Sequence, residues 1–154
     1  MKRKGIFFLL CCLFFSFYST KNTFSEEGDL KAKWLTDYQK ACSLAKKHNR
    51  PILIDFTGSD WCGWCIKLKK EVFDKKAFKK YAGKNLILLE IDFPQKKAQS
   101  SKLKKQNKAL SEKYQVRGYP TIILTDYQGN KIAQTGYREG GEKKYVQHLE
   151  DLLS

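Results

Sequence analysis

The chain has 154 residues, 42% hydrophobic and 30% charged, with 30 Lys and Arg against 16 Asp and Glu. This length builds one domain with a real core but is short for two, and the composition is globular, neither disordered nor that of a membrane-spanning chain. A net charge of +14 would suit nucleic acid, an anionic surface or acidic partners, but the lysines are spread over helix-like segments among glutamates, so a solvated basic surface is expected and no nucleic-acid partner.

In chain order, Lys2, Arg3 and Lys4 precede an apolar run from Ile6 to Phe17 that is too short to span a bilayer comfortably. This is the pattern of an export signal. Small residues at Thr23 and Ser25 favour cleavage after Ser25, with Ser19 as the alternative and a retained anchor left open. Lipid attachment at Cys11 or Cys12 is disfavoured because too little apolar sequence precedes them. The expected organisation is a signal peptide over 1–25 and a single domain over 26–154. Cleavage removes Lys2, Arg3, Lys4 and Lys21 and no acid, leaving 129 residues and a charge of +10.

Leu30, Trp34, Tyr38, Cys42 and Ala45 recur at near-helical spacing and predict an amphipathic helix over roughly 29–48, with Cys42 a buried core thiol. Pro51 opens the buried strand Ile52–Phe56. A loop, Thr57-Gly58-Ser59-Asp60, leads to Trp61-Cys62-Gly63-Trp64-Cys65, from which a helix runs with Cys65, Leu68 and Val72 on one face. A short helix through Phe78 and Tyr81 and a second buried strand over Leu86–Phe93 follow. A lysine- and glutamine-rich stretch then leads into a helix carrying Leu103, Leu110 and Tyr114. Tyr119-Pro120 precedes a third strand at Thr121–Leu124, Gln128-Gly129-Asn130 supplies hairpin chemistry before Lys131–Thr135, and Tyr145 to Leu153 close the chain as a helix. The order α-β-α-β-α-β-β-α implies an α/β fold of three layers, α/β/α, on a central mixed sheet whose last two strands form an antiparallel hairpin.

Export alters the reading of the cysteines. Oxidising compartments favour widely spaced structural pairs, whereas Cys62 and Cys65 close a loop too small to stabilise much by crosslinking. A C-x-x-C between a strand and a helix is instead a redox signal. The thiolate is the nucleophile in disulfide exchange, and the free N–H groups and partial positive charge of a helix N-terminus favour it. Cys62 is therefore the expected attacking cysteine and Cys65, one turn in, the resolving one. Asp55, near the end of a buried strand, is the candidate base for the Cys65 proton, the alternative being a strand-end residue bonded to loop amides. Trp61 and Trp64 flank the pair as candidate substrate contacts, although Trp64 packed on the loop is an equal reading. Pro120 is the candidate cis-proline that turns Tyr119 toward Cys62 to pair with an extended substrate; a trans turn proline is the alternative.

Asp55-Phe56, Trp61-Cys62-Gly63-Trp64-Cys65-Ile66-Lys67, Tyr119-Pro120-Thr121 and the Gly129 hairpin together resemble the thioredoxin superfamily in order, over about 30–153. Within it the chain looks like the exported Dsb-type reductases. The resemblance implies a thioredoxin fold, with Cys62 and Cys65 as the redox pair, Pro120 as the cis-proline and Asp55 as the buried acid. It also implies a periplasmic location, reduction of disulfides in exported proteins, and re-reduction by a DsbD-type membrane electron donor, without a cofactor. Two departures stand out: the Asp55-to-Cys62 loop is one residue longer than in typical thioredoxins, and 94–108 reads as a lysine-rich insertion. A disulfide oxidase or isomerase would use the same residues, although 129 residues leave no room for a dimerisation domain, so a monomer is expected. A soft-metal carrier would need ligands beyond the pair, and His48 and His148 are not at ligand spacing. A redox-inert interaction module stays open.

Overall fold

A computed structural model describes residues 32–154. The expected signal peptide lies outside the described residues, as does Leu30. The elements are β1 (Trp34–Leu35), α1 (Tyr38–His48), β2 (Ile52–Thr57), α2 (Gly63–Leu68), a π-helical turn (Lys69–Phe73), α3 (Lys76–Asn85), β3 (Ile87–Asp92), α4 (Ser101–Lys113), β4 (Thr121–Thr125), β5 (Lys131–Thr135) and α5 (Gly141–Leu153). The five-stranded sheet runs β1-β3-β2-β4-β5. Its first three strands are parallel, and β4 and β5 are antiparallel to their neighbours.

Strand β2 is buried along its whole length, Asp55 included, as its mainly apolar run requires of a strand covered on both faces. Its alternate side chains feed two cores. Leu53 joins Leu88, Ile122 and Leu124 under Leu68, Val72, Phe78 and Leu149. Ile52, Ile54 and Phe56 join Leu89, Ile91 and Ile123 under Ala41, Ala45 and Leu110. The first layer is therefore α2, the π turn, α3 and α5, and the second is α1 and α4. This is the three-layer α/β/α thioredoxin fold expected from the sequence. At the π turn, Val72 and Phe73 are consecutive yet both buried, because the wider turn brings both toward the sheet.

The first helix is shorter than its periodicity implies. It begins at Tyr38, where the Asp37 carboxylate accepts the Lys40 N–H at 2.9 Å as an N-cap. Trp34 and Leu35 form instead a short edge strand in register with Leu88 and Leu89. Trp34 and Tyr38 cannot share a helix face, because Trp34 packs on the first core, 5.0 Å from the Phe73 ring, and Tyr38 on the second. Cys42 is half-buried against the second core as a free thiol. The lysine-rich stretch read as an insertion is a loop followed by the first half of α4.

Candidate active site

The redox pair sits where β2 hands over to α2. Cys62 has extended backbone at the N-cap, and its Sγ accepts the Cys65 N–H at 3.2 Å. Its carbonyl accepts the Ile66 N–H. Cys62 and Cys65 form a disulfide with Cα atoms 5.2 Å apart, and they are 6% and 4% exposed. Cys62 Sγ thus lies at the positive end of a helix that continues through the π turn, within reach of a backbone donor; such a place lowers a thiol's pKa.

Two loops fix this corner. The Trp61 indole N–H donates to the Phe93 carbonyl at 2.8 Å, and its ring lies so close over Gly58 that a Cβ there would come within 2.5 Å of it. The Tyr119 ring meets it edge-on at 5.9 Å and stacks on Phe93 at 5.3 Å. Ser59 is held through its N–H and hydroxyl, at 2.8 and 2.6 Å, by the Asp92 carboxylate. Asp60 accepts the backbone N–H groups of Gln95, Lys96 and Lys97 at 3.0, 2.8 and 3.1 Å. These donors, that of Gln95 foremost, hold its carboxyl below the ordinary range. The lysine-rich stretch is thereby tied to the loop that presents Cys62.

Trp64 is 57% exposed, Ile66 48% and Trp61 41%, so an apolar surface rings the pair. Trp64 rests against Tyr137, with ring centres 5.2 Å apart. The Lys67 ammonium lies about 5 Å from both rings, and the Tyr137 hydroxyl donates to Glu71 at 2.8 Å. Trp64 is thus packed on one side and open on the other. The Tyr119–Pro120 bond is cis, and both residues are half-buried.

Asp55 is buried on the first-core face of β2, and its Oδ1 has no hydrogen-bond partner among the described residues. Of the two sequence readings, bonding to loop amides is therefore absent for this atom. Desolvation, reinforced by the nearby Glu90 carboxylate, raises its pKa to about 8. Asp55 and Cys65 line one cavity of about 20 Å³ with Ser59, Lys69 and Glu90, room for a single water. The structure thus brings Asp55 to the cavity of Cys65, which is bonded to Cys62, and sets Tyr119, just before the cis Pro120, against Trp61. Sequence reasoning missed Asp60, Asp92, Glu90, Lys67 and Tyr137. Glu90 and Asp92 left a signal, since two acids two apart in an apolar strand share a face; the partners of Asp60 and Trp64 left none.

A thioredoxin-like domain model matches residues 38–152. The chain belongs to the thioredoxin superfamily. It is 37% identical over 116 residues to the disulfide bond reductase DsbH of Chlamydia pneumoniae, covering 75% of this chain and 70% of that protein. It is 32% identical over 103 residues to the thioredoxin-related protein DsbJ of the same organism, covering 67% of this chain but 30% of DsbJ. It also matches the thiol:disulfide interchange protein DsbD of Vibrio vulnificus at 28% identity, over 20% of DsbD's length. A solved DsbH oxidoreductase superimposes with a TM-score of 0.76 and 36% identity, covering 80% of this chain and 85% of that one. A Thermus thermophilus thioredoxin, at TM-score 0.60 and 14% identity, shares the fold. The chain is a Dsb-type thiol–disulfide oxidoreductase of this superfamily, with Cys62 and Cys65 as its C-x-x-C pair.

Proposed function

We propose that the protein is exported by cleavage of residues 1–25 and reduces disulfides of exported proteins in the periplasm as a single-domain monomer over 26–154. The observation that carries this reading is Cys62 Sγ at a helix N-terminus, accepting the Cys65 N–H at 3.2 Å, with Cys65 opening on the cavity of Asp55. The Cys62 thiolate attacks a substrate disulfide, and one substrate sulfur leaves as a thiolate. Cys65 then gives its proton to Asp55 and attacks Cys62 Sγ, which releases the second substrate sulfur and leaves the Cys62–Cys65 disulfide. Two electrons pass from the dithiol to the substrate. Trp61, Trp64, Tyr119 and Pro120 are the contact surface for an extended substrate segment around its disulfide. A DsbD-type membrane protein returns the electrons. Reduction, as opposed to oxidation or isomerisation, is favoured by the 37% identity to a protein named as a disulfide reductase.

Insulin reduction by the mature protein tests the reading. Turnover should disappear in Cys62→Ser, and Cys65→Ala should accumulate mixed disulfides with exported proteins. Equal turnover in wild type and Cys62→Ser removes the assignment. A reduction potential near ~−270 mV supports a reductase, and one near ~−120 mV makes the protein an oxidase.

A further inference from the structure

We propose that Glu90 is a second working carboxylate of this site, one that carries the proton of the resolving step from Asp55 to solvent through the cavity they share with Cys65. The inference rests on the exchange reaction above and adds a residue to it. Glu90 is the register neighbour of Asp55 on the adjacent parallel strand, so the two side chains project from one face of the sheet about 4.8 Å apart along the hydrogen-bonding direction. One step further down each strand that face is occupied by Leu53 and Leu88 of the first core. An apolar side chain at 90 would continue that core, and a carboxylate instead bears a desolvation cost.

No structural network accounts for Glu90. Among the described residues it forms no hydrogen bond or ion pair, whereas Asp92 holds Ser59 and Asp60 holds the 95–97 backbone. Asp55 is buried and Glu90 half-buried, so the pair runs from the Cys65 side of the cavity toward the surface. The groups facing them are Lys69 from the π turn, Asp92 at the end of β3, Lys97 from the loop after it and Tyr145 from α5. Burial first, and then Asp92, raises the Glu90 carboxyl above its ordinary value, and Lys69 and Lys97 oppose this. Two carboxylates this close in a desolvated site resist ionising together and hold a proton between them.

The proton then has a route. Cys65 transfers it to the Asp55 carboxylate as its sulfur attacks Cys62 Sγ and the substrate sulfur departs with the electron pair of the broken bond. Asp55 passes the proton by one water in the cavity to Glu90, and Glu90 passes it to bulk water, where the substrate thiolate takes up its own. Asp55 is thereby reset as a base.

The test is the pH dependence of insulin reduction by the mature protein, together with carboxyl NMR titration of Asp55 in its oxidised form. Glu90→Gln should lower the Asp55 titration midpoint and the midpoint of the pH–rate profile together by ~1 unit, because a neighbouring negative charge is removed. Glu90→Asp should restore most of both. In an Asp55→Asn background Glu90→Gln should leave the profile unmoved. Asp55 and rate midpoints unchanged in Glu90→Gln, or an equal rate shift without Asp55, overturns the proposal. If wild type and Cys62→Ser reduce insulin equally, the exchange reading fails on its own, and the NMR midpoint still decides whether the carboxylates are coupled.

Discussion

Burial of Asp55 couples the ionisation of one side chain to stability. Its folded pKa of about 8 lies well above the ~3.9 of an unfolded aspartate. Below both values the folded and unfolded chains carry the same proton, and stability is at its full value. As pH rises from about 4 to 8, the unfolded chain releases the proton and the folded chain holds it, so stability falls; above 8 the loss is complete. Asp55→Asn removes the titration. Its urea-unfolding free energy in the oxidised form should therefore gain on wild type between pH 4.5 and 8, by more than about 1.4 kcal/mol. A difference that stays flat across this window would show that Asp55 titrates normally. In the proposed exchange, this raised pKa is what lets the carboxylate that shares a cavity with Cys65 take up its proton.

At the scale of elements, two short devices place the reactive sulfurs. The extended Cys62 residue turns the chain from β2 into α2, so its Sγ meets the Cys65 N–H in place of an ordinary capping oxygen. The loop before it is held by Asp92 and by the 95–97 backbone, and Gly58 leaves room for the Trp61 ring. On the other face of the sheet, Asp37 caps α1 in the usual way. Asp37→Ala should cost about 1 kcal/mol of stability, read as a lower denaturant midpoint, and should leave insulin reduction at 25 °C unchanged because α1 packs on the face of the sheet opposite Asp55 and Glu90. A loss of activity without a loss of stability would place α1 in the site.

At the scale of the molecule, one sheet separates two cores. Ile91 belongs to one and Ile122 to the other, and β2 lies between their strands. Ile91→Val and Ile122→Val should each cost ~0.5–1.5 kcal/mol. Combined, they should add within about 0.5 kcal/mol, because they share no contacts across the sheet. A larger coupling, read by denaturant unfolding of the single and double variants, would mean that the sheet transmits packing strain from one layer to the other.

Local pattern alone carried most of the architecture. Predominantly apolar runs marked β2, β3 and β4 because a strand covered on both faces has little polar side to show. The C-x-x-C between strand and helix marked the redox pair, since both its placement and its chemistry are local. The start of the first helix was not legible, because Trp34 fits a helical period and only the sheet decides that it pairs with Leu88. Glu90 beside Asp55, Asp60 on the 95–97 backbone and Tyr137 under Trp64 were likewise settled by tertiary contact. Each joins positions more than thirty residues apart in the chain, and such proximity arises only when strands and loops are brought together in space.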